Sequence, residues 1–227
     1  MTTRVALLGH PVSHSLSPRM QNAAFAAVGL DWSYTTIDTE DPVTAVRNLV
    51  AEGFAGANVT IPHKVTVVAA CDEADGEAVN TLIFRDGRVT GINTDVEILA
   101  GVNATRACLI GAGGAAQTLS PALPEDTRIF SRRGAWPPNA TGCDLIVNAT
   151  PVRDELLVQP VAGQTVVELA YSQDGADTAL VAAARAAGCE VIDGLEALVR
   201  QGAKSFELWT GVPAPVTVMR DAVRGEP

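Results

Sequence analysis

The run Ala107-Cys108-Leu109-Ile110, followed at once by Gly111-Ala112-Gly113-Gly114-Ala115-Ala116, does most to narrow what this chain can fold into. A short apolar run that stops at glycine is the pattern of a strand covered on both faces, and such strands belong to parallel sheets. The small residues after it predict a tight turn that opens directly into a helix. The rest of the chain repeats the alternation. Strands are expected over residues 5–9, 32–37, 78–84, 89–92, 128–131, 144–148 and 165–169, helices over 18–28, 43–52, 178–187, 195–209 and 215–223, and a helix with its connection within 65–78. Alternating strands and helices predict an α/β fold with crossover helices. Asp86-Gly87 reads as a hairpin turn, and residues 132–142, with Pro137 and Pro138, as a loop.

Composition limits the partners. The 227 residues are 47% hydrophobic and 19% charged, with a formal net charge of -10, which argues against nucleic acid or an anionic membrane as a ligand. The apolar run Val5-Ala6-Leu7-Leu8 is too short for a signal peptide or a membrane span. Cys71, Cys108, Cys143 and Cys189 are far apart and form no metal-ligand spacing, so no metal site is expected. Reduced, buried thiols in a cytoplasmic protein are the plain reading.

Residues 56–64, Gly-Ala-Asn-Val-Thr-Ile-Pro-His-Lys, run from a strand into a reactive end. Ala57, Val59 and Ile61 are expected on a core face, with Asn58 and Thr60 on the other. Pro62 stops the ladder, and Lys64 is placed at its mouth as a candidate for proton transfer; a solvated surface charge is the alternative. Ser15 and Ser17 front a helix that Ser17-Pro18 caps, which suits a small carboxylate or a plain cap and turn. Asp95 stands at the start of another short helix, where it can serve a partner or only the helix dipole. The glycine turn at 111–115 is of the dinucleotide-binding kind, because glycines admit a pyrophosphate close to the backbone. At the end of the next strand Ser131-Arg132-Arg133 stands where an acidic residue would favour NAD, so NADP is expected instead.

The strings Ser13-His14-Ser15-Leu16-Ser17-Pro18, Asn58 through Lys64, Ala78-Val79-Asn80-Thr81-Leu82, Asn93-Thr94-Asp95, Gly111 to Ala115, Asn148-Ala149-Thr150-Pro151 and Gln201 to Gly211 occur in one order. With them the chain resembles the shikimate dehydrogenase family nearly end to end. The resemblance implies reversible, NADP-dependent reduction of 3-dehydroshikimate to shikimate. It implies Lys64 and Asp95 as the catalytic pair, Ser15 and Ser17 on the substrate carboxylate, and Thr60, Asn80, Tyr171 and Gln201 as further substrate contacts. For the cofactor it implies Gly111, Gly113, Gly114, Ala115, Ser131, Arg132, Arg133, Thr150 and Gly194. His63 receives no role beyond a structural or surface one.

The fold expected is two α/β lobes with the active site in the cleft between them. One is a substrate domain with a mainly parallel sheet, residues 1–93 plus 206–227, and the other a Rossmann-like NADP-binding domain, residues 94–205. The chain departs from the family pattern at Gln21, Val96, Ser131, Arg133 and Ala197, and looks trimmed between Lys64 and Asn80, after Asp95, and between Arg133 and Asp144. Quinate or aminoshikimate dehydrogenation, or a non-catalytic relative binding a nucleotide or cyclic acid, are the alternatives. The protein is expected to act as a monomer or homodimer on a small molecule, with no nucleic-acid or membrane partner.

Overall fold

β1 (Thr3–Gly9) is buried from its third residue onward, which is why its sequence reads as unbroken apolar rather than alternating. The computed structural model describes residues 1–225. Residues 226 and 227, the end of the stretch expected in the first lobe, lie outside the described residues. After β1 come α1 (Ser17–Ala27), β2 (Trp32–Asp38), α2 (Pro42–Ala51) and β3 (Gly56–Val59). The Asp41 side chain caps α2 by accepting from Thr44 N at 3.0 Å, which satisfies one of the helix's free N–H groups. β4 (Glu73–Ala74), β5 (Thr81–Arg85) and β6 (Arg88–Ile92) complete a six-stranded sheet of order β2-β1-β3-β5-β6-β4. It is parallel across β2-β1-β3 and at β6-β4 and antiparallel at β3-β5 and β5-β6, a mixed sheet in which most pairings are parallel.

The second sheet is wholly parallel. β7 (Arg106–Ile110) leads through the glycine turn into α3 (Gly114–Leu119), then β8 (Asp126–Phe130), β9 (Leu145–Asn148), β10 (Thr165–Glu168), α4 (Ala179–Ala186), β11 (Glu190–Ile192) and α5 (Gly194–Thr210). The order β11-β10-β9-β7-β8 makes β7 the strand at which the winding reverses. Ligand crevices of open α/β sheets form at that point. Apolar clusters cover both faces of this sheet, one around Leu109, Val147 and Val167, the other around Ile110, Ile146 and Val166.

The compact units of the described residues are 1–97 with 199–225, and 98–198. Asp95 and Gln201 therefore belong to the first unit. α6 (Val216–Arg224) closes the chain and packs on α1. Trp209 anchors α5 to the first sheet by donating Nε1–H to Leu82 O at 2.9 Å. Gly56 makes this possible, because a Cβ there would lie 2.4 Å from both partners.

Four local expectations change. The strand after Gly56 ends at Val59, and the chain turns at Thr60, whose carbonyl accepts from His63 N at 2.9 Å. Ile61 is thereby turned outward and is 54% exposed instead of facing the core. The helix expected with its connection within 65–78 is a single 3-10 turn, Thr66–Ala70, before the exposed pair of β4, because Asp72-Glu73-Ala74-Asp75-Gly76 offers no apolar stripe to extend it. α1 begins at Ser17 itself, after an N-cap residue, Leu16, that has no capping side chain. The Ser15 hydroxyl does related work by accepting from Ser17 N at 3.2 Å. Finally, only Cys108 and Cys143 are buried, while Cys71 and Cys189 are half-buried. No helix among the described residues is long and apolar enough to cross a membrane.

Candidate active site

Strand direction gathers the candidate residues of the first unit on one sheet edge. β1 and β3 are parallel, so the loops that follow them, carrying Ser15, Ser17, Thr60 and Lys64, leave the same edge. β5 is antiparallel to β3 and pairs Thr81 with Asn58, which puts Asn80 at that edge too. The end of β6 pairs Ile92 with Thr81, so Asn93, Thr94 and Asp95 emerge beside it.

At this edge Lys64 Nζ donates to Asp95 Oδ2, and both residues are buried, at 9% and 4% exposure. A buried charge needs its partner and its hydrogen bonds, and both are present. Asn80 Nδ2 donates to Asp95 Oδ1 at 2.7 Å and to Gln201 Oε1 at 3.3 Å. The Asn80 carboxamide oxygen is itself held, since it accepts from Thr94 N at 2.7 Å and from the Thr94 and Thr81 hydroxyls. Backbone contacts fix the lysine's approach, because Lys64 O accepts from Val79 N at 2.9 Å and His63 O from Val67 N at 2.9 Å. Lys64, Asp95, Asn80 and Gln201 thus form one connected group.

A buried polar layer lies behind it. The hydroxyls of Thr81, Thr94 and Ser205 stand within 3.3 Å of one another. Asn58 Nδ2 donates to Thr81 Oγ1 at 3.0 Å and Ser205 Oγ at 2.9 Å, and Asn58 Oδ1 accepts from the Tyr34 hydroxyl at 2.8 Å. A network satisfied throughout in this way stiffens the groups it supports. Sequence reading placed Asn58 only on a strand face and passed over Tyr34 and Ser205. A lone asparagine inside the buried strand Gly-Ala-Asn-Val was the available signal.

The loop after β1 is held from both sides. His10 Nδ1 meets Asp38 Oδ1 at 2.5 Å, Val12 N donates to Asp38 Oδ2 at 3.2 Å, and His10 N donates to Ile61 O at 3.1 Å. The hydrogen bond between His10 and Asp38 raises the imidazole's pKa and lowers the carboxyl's. Thr60 packs its methyl where any side chain at Gly9 would go, 2.5 Å from that Cβ position. His63 is buried, with Nε2 2.6 Å from Thr39 O, which is a structural placement. Gln21, one of the departures from the family pattern, is fully buried and bridges α1 to α5 through a 2.9 Å bond to Gly202 O.

In the second unit the parallel strands bring the other candidates to one edge. Gly111 follows β7, Ser131 to Arg133 follow β8, Thr150 follows β9, Tyr171 follows β10 and Gly194 follows β11. Gly111 has φ +121°, and a Cβ on it would lie 3.1 Å from Ala149 O, so the turns after β7 and β9 meet backbone to backbone. Gly113 has open space where its Cβ would be. Gly114 and Ala115 begin α3, which is only six residues long. Gly194 lies so close to Ala170 that a Cβ would sit 2.2 Å from its carbonyl oxygen, and 3.0 Å from Tyr171 Cβ. Arg132 and Arg133 are both exposed. Arg132 lies 3.7 Å from Glu155 and over the Trp136 ring, so solvent screens that pair. Ala197, another departure, is packed into the apolar cluster of this unit.

Sequence reading missed Glu168. It ends β10 fully buried, and it accepts from Asn148, Ala170 N and Thr178. Burial pushes its pKa up to about 7 against the opposing effect of those donors. A glutamate terminating the apolar run Thr-Val-Val-Glu was the signal.

Comparison with known proteins identifies the family. Residues 7–82 match the family description "Shikimate dehydrogenase substrate binding domain", and residues 194–224 match "Shikimate 5'-dehydrogenase C-terminal domain". The chain is 38% identical to the shikimate dehydrogenase (NADP(+)) of Rubrobacter xylanophilus, covering 99% of this chain and 96% of that protein. It is 37% identical to that of Moorella thermoacetica, covering 98% and 93%. These alignments span 278 and 276 positions against 227 residues here, so the relatives carry internal segments that this chain lacks. The crystal structure of shikimate 5-dehydrogenase from Thermus thermophilus in complex with NADP(H) and shikimate superposes with a TM-score of 0.83 at 32% identity, over 98% of this chain and 99% of that one. Resemblance along the whole length, through both units, makes this chain a member of the shikimate dehydrogenase family.

Proposed function

We propose that the protein is an NADP-dependent shikimate dehydrogenase that interconverts 3-dehydroshikimate and shikimate. The observation that carries this reading is the buried Lys64–Asp95 pair held by Asn80. A proton-transfer pair kept out of water is costly, and a protein that only binds has no use for it.

The second unit suits the cofactor. Gly111 brings two backbone turns together, Gly113 leaves an approach open, and Arg132 and Arg133 offer guanidinium groups to a 2′-phosphate. Gly114, Ala115, Ser131, Thr150 and Gly194 complete the set that would hold it. When bound, NADPH supplies the hydride that reduces the ketone carbon.

The chain's own residues handle orientation and the proton. Ser15 and Ser17 anchor the substrate carboxylate through their hydroxyls, and Thr60, Asn80, Tyr171 and Gln201 hold the ring substituents. As negative charge grows on the ketone oxygen, the Lys64 ammonium stabilises it and gives up one proton to form the hydroxyl. Asp95 keeps the ammonium aimed, with Asn80 fixing its carboxylate plane. The resulting neutral amine recovers its proton from solvent. In the oxidative direction the neutral amine accepts the hydroxyl proton. The net charge of -10 disfavours nucleic-acid and anionic-membrane partners, and the reading is of a cytoplasmic enzyme that works as a monomer or homodimer.

Steady-state rates with shikimate, quinate and aminoshikimate, each with NAD and NADP, test the assignment. The highest kcat/KM is expected for shikimate with NADP. A folded protein that binds these ligands yet turns none of them over would return the non-catalytic reading.

A further inference from the structure

Glu168 is a buried carboxylate that the reaction does not use, and its contacts lead to the dinucleotide turn. It pairs in register with Asn148 across β9 and β10. Its Oε1 accepts from Asn148 Nδ2 at 3.1 Å and from Ala170 N at 2.9 Å, and its Oε2 from Asn148 Nδ2 at 3.0 Å and the Thr178 hydroxyl at 3.0 Å. Both carboxyl oxygens thus face the Asn148 NH₂, which turns the carboxamide oxygen to the other side. On that side Asn148 Oδ1 accepts from Thr150 N at 3.1 Å and from the Thr150 hydroxyl at 2.7 Å.

The turn oriented in this way is the one that abuts the glycine loop. Ala149 N donates to Ile110 O at 2.8 Å, at the end of β7. Ala149 O and Thr150 Cγ2 then lie 3.1 Å and 3.4 Å from where a Gly111 Cβ would stand. Gly111 N in turn donates to Phe130 O at 2.8 Å, at the end of β8. A change in how Asn148 points moves Thr150, and with it the backbone against which Gly111 is packed.

We infer that Glu168 is a positioning residue for the dinucleotide site: by dictating the orientation of the Asn148 carboxamide it sets the Thr150 turn against Gly111. The inference rests on the reading that this unit binds NADP. It assigns the residue a role in cofactor affinity separate from substrate affinity and from proton transfer.

The test is NADPH binding measured by fluorescence titration, beside shikimate binding and thermal melting, for wild type, Glu168→Gln, Asn148→Asp and the double variant. Glu168→Gln sets an NH₂ against existing donors, and Asn148→Asp sets two carboxylates face to face. Each is expected to weaken NADPH binding by about tenfold, the loss of one such bond, with the dissociation constant for shikimate within about twofold of wild type. In the double variant the introduced glutamine can donate to one oxygen of the new carboxylate while the other still accepts from Thr150. Recovery of NADPH affinity relative to either single change is therefore expected. Glu168→Asp keeps both acceptor oxygens, set back by one methylene, and is expected to show a smaller loss in the same direction. It serves in place of Glu168→Gln should that variant not fold. Wild-type NADPH affinity in the folded variants overturns the inference, as does equal weakening toward shikimate or a double variant no better than the worse single one. Wild-type protein that does not bind NADPH would instead defeat the functional reading beneath it.

Discussion

Asn80 donates to Asp95 Oδ1 at 2.7 Å, leaving Oδ2 as the oxygen that receives Lys64. One neutral side chain thus decides how the Asp95 carboxylate faces its lysine, and Thr94 and Thr81 decide how that side chain faces. Asn80→Ala removes a hydrogen bond to a charged, buried group. The expected result is a drop in kcat/KM of about 10- to 100-fold, equivalent to roughly 1.5–3 kcal/mol. Steady-state kinetics with a melting control checks it.

The buried pair separates stability from catalysis. Asp95→Ala strands the Lys64 ammonium, which should destabilise the fold by about 3–5 kcal/mol. The double change Lys64→Met, Asp95→Leu removes both charges and keeps the volume, and should be much closer to wild type in stability while remaining inactive. Denaturant melts of the three proteins decide the matter. Equal destabilisation of the single and double variants would contradict it.

Glu168 gives stability a pH dependence of unusual sign. Its folded pKa is raised from 4.5 to about 7, so the folded state holds the proton more tightly than the unfolded state does. The contribution is present below about pH 4.5 and is lost as pH rises through about 7, amounting to about 3 kcal/mol. Asp144 works in the opposite sense, with a pKa lowered to about 2 by Thr105 and Arg106 N–H donors, and its effect falls at lower pH. Melting temperatures of wild type and Glu168→Gln between pH 5 and 8 should diverge, the variant having the flatter profile.

Arg132 and Arg133 are exposed, and the Arg132 contact with Glu155 is itself open to solvent. Replacing both with alanine should therefore leave stability near wild type and lower the NADP-over-NAD preference by about tenfold or more, since each charge-assisted bond to phosphate contributes roughly 1.5–3 kcal/mol. The ratio of kcat/KM values for the two cofactors is the measurement.

Much of this was legible in the residues, because parallel strands announce themselves as short apolar runs and the reactive side chains sit at their ends. Val5 to Gly9 and Ala107 to Ile110 read directly as buried strands. The family resemblance named Lys64 and Asp95 as a pair, but the residues alone did not show what brings them together, since that depends on β5 and β6 running antiparallel beside β3. Ile61 misled because period-two alternation cannot show where a ladder stops, and the turn at Thr60 turned it outward. Crossover 65–78 misled for another reason: a long connection implies a helix only when it carries an apolar stripe. Glu168 and Asn148 were illegible as a pair because their contact is a matter of neighbouring strands, twenty residues apart in sequence.

The most direct test of the central claim compares initial rates of NADP reduction by shikimate for wild-type protein and Lys64→Ala, both confirmed folded by melting. The account predicts shikimate-dependent turnover in the wild type. In the variant it predicts a fall in kcat of roughly 10²- to 10⁴-fold, with a smaller change in KM. A folded wild type that leaves shikimate and NADP unconverted, or a Lys64→Ala enzyme with unchanged kcat, would contradict it.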